Sequence, residues 1–260
     1  MAKVTLLTSG GLDSTTALAQ AYALRHSVVP VYVDYGQPNR ENELVALGRL
    51  AATYPTLREL HIRRVQLNVP DVLNDQSFFV AARNAVLGSI GLNVAAAVDA
   101  DELWFGFVAP ESVAVPVHKF GDVVYGQCEE SDDISCFVVL GVDGSRVRVA
   151  DGSGGTYEFA DEELHVSKKG AEAYRDAAGH PDTTTRFVTT FQKIADMSLK
   201  KKLRVVAPLI QKDKSEVMRL AERLRVPLHQ TWSCYSQASD PCGKCGACAA
   251  LSKAVASQKG

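Results

Sequence analysis

No stretch of the 260-residue chain approaches the roughly 18 uninterrupted apolar residues that a membrane-spanning helix needs, so none is expected. The first residues run straight into an apolar strand pattern and lack the charged head, apolar stretch and small-residue cleavage site of a secretory leader. The expected location is therefore the cytoplasm. There is no internal repeat and no low-complexity tract. Net charge is nearly absent too, with 28 Lys and Arg against 30 Asp and Glu.

What is present is ordinary in bulk and uneven in detail. Hydrophobic residues make up 46% and charged residues 22%, the balance of a globular protein. The length suits one large α/β domain, or one domain with an appendage. Residues 110–178 hold 14 Asp or Glu against 6 Lys or Arg, whereas the rest holds 16 against 22. A basic remainder suits an anionic small substrate or nucleotide, and equally a plain solvated surface. The acidic middle argues against a grip on nucleic acid, whose affinity comes from neutralised phosphates, so no direct nucleic-acid partner is expected.

Val4–Leu7, Val28–Tyr32, Leu60–Leu67, Glu102–Phe107 and Arg204–Val206 predict strands, and Ser14–Leu24, Arg40–Thr53, Phe79–Ala97, Thr183–Asp196 and Lys214–Leu224 predict helices. Strands alternating with helices predict a parallel sheet covered on both faces. Ligands of such sheets bind beyond the carboxyl ends of the strands. Residues 113–166 break the rhythm with short alternating runs around Asp143-Gly144 and Asp151-Gly152, which predict a small antiparallel insert. That insert is either a decorated loop or a functional one. The tail from Ala254 is expected to fray.

Two constellations carry chemistry. In "TSGGLDSTTAL" the residues Ser9, Gly10, Gly11, Leu12, Asp13 and Ser14 fall between the first strand and the first helix. Backbone N–H groups there can converge at the positive end of the helix dipole, which makes an anion site; an ordinary glycine-rich connection is the alternative. No Gly-Lys-Ser or Gly-Lys-Thr follows, so this is not a loop built to expose a γ-phosphate. Near the other end, "TWSCYSQASDPCGKCGAC" places Cys234, Cys242, Cys245 and Cys248 close together. Four such thiols fit a tetrahedral zinc site. Disulfides are disfavoured in a reducing compartment, and cysteines alone do not exclude an iron–sulfur cluster. Cys128 and Cys136 read as small buried hydrophobes or unpaired thiols.

With "VDYGQPNRENELVAL" (33–47), "ARNAVLGSIG" (82–91), "HPDTTTRFVTTF" (180–191) and "APLIQKDKSEVMRL" (207–220), these stretches resemble the 7-cyano-7-deazaguanine synthase (QueC) family of the PP-loop ATP pyrophosphatases. The resemblance implies an α/β, Rossmann-like (adenine nucleotide alpha hydrolase-like) parallel sheet with helices on both faces, a small antiparallel β insert and a C-terminal zinc-binding segment. Its implied boundaries are 1–111 with 179–230 for the PP-loop domain, 112–178 for the insert and 231–260 for the zinc segment. The implied activity is ATP-dependent conversion of 7-carboxy-7-deazaguanine and ammonia to the nitrile, through an adenylated carboxylate and an amide, with Mg²⁺ and Zn²⁺ present and a homodimer as the assembly.

Residue by residue, Ser9, Gly10, Gly11, Leu12 and Ser14 would hold the pyrophosphate end of ATP. Asp13 would bind Mg²⁺ or orient the nucleotide. Lys214 would touch a phosphate or else face solvent. Val33–Gln37 would line the adenosine side with Asp34 as the polar contact, or Asp34 would only cap a turn. Arg83 and Asn84 would face nucleotide or substrate, or only serve the start of a helix, and Asp182 would pair with the amino-pyrimidine edge of a deazaguanine.

One segment departs from the resemblance. Where the family reads Tyr-Pro-Asp-Cys-Arg-Pro-Glu-Phe, this chain has His180, Pro181, Asp182, Thr183, Thr184, Thr185, Arg186 and Phe187. An arginine is lost and a glutamate becomes Arg186, which can change the substrate or acceptor accepted. The insert enters just before this segment and is a candidate lid or protein-docking module. Besides nitrile synthesis, two readings stay open: an enzyme that stops at the amide or transfers the acyl group to another amine, and a non-catalytic zinc-containing nucleotide-binding protein.

Overall fold

The computed structural model describes residues 1–67, 69, 80, 82–108, 123–127, 134–143, 146–151, 153, 155–160, 163, 164 and 181–257. The chain divides into two compact units, Met1–Ala109 with Asp182–Gly260, and Pro110–Pro181. The first unit holds β1 (Lys3–Leu7), α1 (Leu12–Ala23), β2 (Ser27–Asp34), α2 (Arg40–Leu50), β3 (His61–Arg64), α3 (Arg83–Ala97), β4 (Glu102–Trp104), α4 (Thr185–Ser198), β9 (Arg204–Val206), α5 (Lys214–Arg223) and α6 (Gly246–Ser257). The second holds β5 (Val123–Gln127), β6 (Ile134–Asp143), β7 (Arg146–Ala150) and β8 (Thr156–Ala160).

In the first unit the five strands run parallel in the order β3-β2-β1-β4-β9. Successive side chains point to opposite faces. Val4, Leu6, Val28, Tyr32 and Trp104 accordingly pack with α1, α2 and α5 residues such as Leu18, Leu47 and Val217. Leu7, Val31, Val33, Leu103 and Phe105 pack on the other face with α3 and α4, through Leu92, Ala95, Phe191 and Ala195. This double burial is why the strands read as continuous apolar runs rather than alternating ones.

Several elements differ from the sequence pattern at their ends. Helix α1 starts two residues early because Gly11, at φ −76° and ψ 168°, is its N-cap, so Leu12, Asp13 and Ser14 form the first turn. Strand β3 ladders with β2 only from His61 to Arg64. Helix α3 starts at Arg83, where Ala82 takes a left-handed φ of 56°; Phe79, expected in this helix, lies outside the described residues. Strand β4 stops at Trp104, and α6 continues through Ser257 where fraying was expected.

Two glycines set how closely α3 lies on the sheet. A Cβ on Gly91 would stand 2.7 Å from Leu103 Cδ1, and one on Gly88 would stand 2.5 Å from Phe191 Cζ and 2.7 Å from Phe105 Cζ. That close approach brings the start of α3 to the carboxyl edge of the strands.

The second unit is an antiparallel meander, β5-β6-β7-β8. Val124, Phe137, Val139, Val147, Val149 and Phe159 bury one face around Leu164. At the β7–β8 connection, Asp151 accepts hydrogen bonds from Ser153 Oγ, Tyr157 Oη and the N–H groups of Ser153 and Gly155, which hold its carboxyl down to about 2. Cys136 is an exposed, unpaired thiol, and Cys128 lies outside the described residues.

Gly88→Ala forces a methyl into the two rings and is expected to cost about 2 kcal/mol, as overpacked cores do. Gly48→Ala, on α2 with nothing within 4 Å of its Cβ position, is expected to stabilise by about 0.5–1 kcal/mol by removing chain entropy. Urea midpoints at unchanged m-value measure both.

Candidate active site and cysteine cluster

The strand order reverses direction between β1 and β4, and the crevice beyond their carboxyl ends is where such sheets take ligands. The Ser9–Ser14 loop leaves β1 at that point. Gly10 takes φ +76°, and a Cβ there would press within 3.1 Å of the Glu43 carbonyl and 3.2 Å of Ala46 and Leu47. Only glycine satisfies both demands. Ser14 Oγ lies 3.2 Å from Ser9 N and 3.3 Å from Ser9 Oγ, which in turn accepts from Gly11 N at 3.4 Å. On the β4 side Gly106 lies flat on the loop, since a Cβ there would be 2.6 Å from Ser14 Cα. No sequence motif marked Gly106.

Asp13 and Lys214 are brought together although they are 201 residues apart. Lys214 Nζ donates to both carboxylate oxygens of Asp13 at 2.8 Å, and both side chains are mostly buried. Lys214 is the first residue of α5, whose Asp213 caps the helix and exchanges reciprocal bonds with Glu216. That capping box fixes where the lysine leaves the backbone. Lys214 is thus neither a freely solvated lysine nor distant from the loop.

The segment before the cysteines is strapped onto the same loop. Trp232 N–H donates to the Gly10 carbonyl at 2.9 Å, and Leu12 N–H donates to Ser233 Oγ at 3.1 Å. The Cys234 carbonyl accepts from Trp232 Nε1 at 2.8 Å and from Asn39 Nδ2 at 3.0 Å. Asn42 Nδ2 holds the Ala238 carbonyl at 3.0 Å. Helix α2 therefore carries the cysteine segment on one side and the glycine loop on the other.

The ligand sulfurs of Cys234, Cys242, Cys245 and Cys248 all lie within 4.8 Å of one another. Tetrahedral zinc with bonds of about 2.3 Å sets its sulfurs about 3.8 Å apart, so the four residues fit a metal ion. Gly243, at φ +71°, makes the turn between the second and third thiols. N–H groups of Lys244 and Cys245 draw the Cys242 thiol down to about 6, while burial pushes Cys248 up to about 12. A bound cation would favour the thiolate at all four.

A buried carboxylate links these elements. Glu43 Oε2 accepts from Tyr32 Oη at 2.8 Å and Gln37 Nε2 at 2.9 Å, and its Oε1 accepts from Asn39 Nδ2 at 3.3 Å. Burial raises its carboxyl to about 7 against the pull of those donors and of Arg83.

A second group of predicted residues meets at the start of α3. Asn84 N–H donates to Asp182 Oδ2 at 2.9 Å, and Asn84 Nδ2 donates to the Asp182 carbonyl at 2.9 Å. Asp182 is 7% exposed and its Oδ1 has no hydrogen-bond partner among the described residues. Arg83 bonds the Tyr35 hydroxyl, which burial, partly offset by Arg83, pushes up to about 12. Tyr235 packs beside Tyr35. Asp34 accepts from Gly36 N at 3.3 Å, as a turn cap does, and pairs with Arg40 at 3.1 Å and Arg64 at 3.6 Å. Thr184, where the resemblance has arginine, is the N-cap of α4 and accepts from Phe187 N at 3.1 Å. His180 and the Arg186 side chain lie outside the described residues. Sequence reasoning passed over Glu43, Trp232, Ser233 and Tyr235, although all stand in the quoted stretches.

A family model described as queuosine biosynthesis protein QueC matches residues 3–119 and 164–259. A 7-cyano-7-deazaguanine synthase from Microcystis aeruginosa is 26% identical over 95% of this chain and 87% of its own. One from Nautilia profundicola is 27% identical over 95% of this chain and 90% of its own. A solved U34-tRNA thiolase from Methanococcus maripaludis overlaps at a TM-score of 0.44 and 14% identity, over 99% of this chain and 73% of its own, too loosely to carry chemistry across. Among the described residues no helix is long and apolar enough to cross a membrane.

The buried Glu43 has a pH signature. Its folded value of about 7 lies above the ordinary 4.5, so between those values the folded chain holds a proton that the unfolded chain has released. Stability from this residue is full below pH 4.5 and is lost as pH rises through about 7. The urea midpoint of the wild-type chain is expected to fall across that window by a component that Glu43→Gln lacks. Parallel profiles would show the carboxylate ionised throughout.

Proposed function

The chain belongs to the QueC family of queuosine biosynthesis proteins, and from that premise we propose that it is a 7-cyano-7-deazaguanine synthase. The observation that carries the reading is the joining of Ser9, Gly10, Gly11 and Ser14 to the Asp13–Lys214 pair at the point where the strand order reverses. The loop N–H groups and hydroxyls receive the pyrophosphate end of ATP. Lys214, aimed by Asp13, stabilises charge developing on the leaving phosphate oxygens. Asp13 would also be the residue to hold Mg²⁺, which would supply further charge neutralisation at the phosphates.

The 7-carboxy-7-deazaguanine carboxylate attacks the α-phosphate and pyrophosphate leaves. Ammonia then displaces AMP to give the amide. The amide oxygen attacks the α-phosphate of a second ATP with release of pyrophosphate, and loss of AMP together with both N–H protons leaves the nitrile. No residue near the loop is an obvious general base, so the chain works mainly by positioning. Asp182 Oδ1, buried and without a hydrogen-bond partner among the described residues, is suited to accept from the N–H edge of the deazaguanine ring, with Asn84 holding the other oxygen. Such a site would reject rings that lack the donor, because the carboxylate would stay buried and unpaired.

We assign the four cysteines to structural zinc. Purified chain is expected to carry one zinc per chain by elemental analysis, colourless, with the metal lost in Cys245→Ser. A brown chromophore with iron and sulfide would replace zinc with a cluster.

Incubation with ATP, Mg²⁺, ammonium and 7-carboxy-7-deazaguanine is expected to release pyrophosphate and yield the nitrile by mass spectrometry. Pyrophosphate with amide alone, or with another amine acylated, would replace the synthase reading with an acyl-transfer one. Absence of pyrophosphate would leave a binding protein.

A further inference from the structure

Ser233 stands between the cysteine cluster and the glycine loop, and its hydroxyl is not one of the cluster's ligands. Its neighbours on both sides are committed: Trp232 N–H is bonded to the Gly10 carbonyl, and the Cys234 carbonyl is held by Asn39 and Trp232. The residue between them is therefore fixed in position. Its Oγ accepts the Leu12 N–H at 3.1 Å and donates to no partner among the described residues.

Around Gly11 the geometry forms a cradle. A Cβ on Gly11 would lie 3.4 Å from Ser9 Oγ, 3.5 Å from Ser233 Oγ and 3.3 Å from the Trp232 carbonyl. Two hydroxyls from opposite ends of the chain thus stand close beside Gly11, together with the Trp232 carbonyl. Gly11 N and Leu12 N stand at the start of α1, a 12-residue helix whose positive end lies at this loop. A phosphate oxygen approaching this part of the loop would have the Ser9 and Ser233 hydroxyls as neighbours, and the Trp232 carbonyl as the acceptor it must stay clear of. Leu12 N–H polarises the Ser233 hydroxyl and makes it a better donor.

We propose that Ser233 is a phosphate-contacting residue of the nucleotide site, delivered to the loop by the arm that begins the cysteine cluster. The proposal rests on the reading of that loop as the seat of the ATP pyrophosphate. It gives the cysteine cluster a role in nucleotide recognition as well as in holding the C-terminal segment: when Cys234 is displaced, Ser233 leaves the loop with it.

The test uses the full, metal-loaded chain as wild type, Ser233→Ala and Ser233→Thr, titrated calorimetrically with ATP and with inorganic pyrophosphate. Metal content and melting temperature are measured alongside. Ser233→Ala is expected to weaken both ligands about tenfold, the scale of one hydrogen bond to a charged group, with metal and melting temperature unchanged and affinity restored in Ser233→Thr. Equal binding by wild type and Ser233→Ala overturns this inference alone. Weakened binding accompanied by lost metal or a lowered melting temperature assigns Ser233 a merely structural role and also overturns it. A wild-type chain that binds neither ligand overturns the reading of the loop, and this inference falls with it.

Discussion

The carboxyl edge of the sheet depends on one tight approach, that of the Gly10 backbone to the first turns of α2. With no room for a Cβ against Glu43, Ala46 and Leu47, the loop rests directly on helix backbone. Helix α2 in turn grips the cysteine segment through Asn39 and Asn42, and that segment returns to Gly10 through Trp232 N–H. Loop, helix and cysteine arm thus close a ring of contacts around Gly10. A side chain at position 10 would strain the backbone and push the loop away from both α2 and the arm.

Charge at this edge is arranged in pairs, because an ion removed from water needs a partner. Asp13 and Lys214 satisfy each other, Asp34 is met by two arginines, and Arg83 is met by the Tyr35 hydroxyl. Glu43 has no cation bonded to it and accepts three hydrogen bonds instead, with burial still raising its carboxyl. Asp182 keeps an oxygen without a hydrogen-bond partner among the described residues. An incomplete buried carboxylate carries a standing energetic cost, which a ligand bearing an N–H edge would remove.

The departure of the 180–187 segment from the family pattern has a partial local account. Thr184 caps α4 in place of an arginine, a role that threonine performs well and that leaves the helix start intact. Asp182, two residues earlier, keeps its link to the start of α3. The lost arginine therefore bears on chemistry at this edge more than on folding.

Apolar runs and glycine-rich turns made the parallel sheet legible from the sequence, because strands buried on both faces must be apolar and adjacent strands must be joined by helices. The cysteine spacing was legible for a similar reason: thiols close in sequence can meet without the rest of the chain. Helix ends were less so, since the start of α1 depends on the φ and ψ of Gly11 and that of α3 on a left-handed Ala82. The partners at the site were not legible at all. Lys214 reaches Asp13 across 201 residues and Ser233 reaches Leu12 across 221. Asp34 was spoken for by arginines from α2 and β3. Local chemistry determined which residues could bind an anion or a metal; only tertiary packing decided which hydroxyls, carboxylates and cations share one space, because those distances are set by how the sheet is wound.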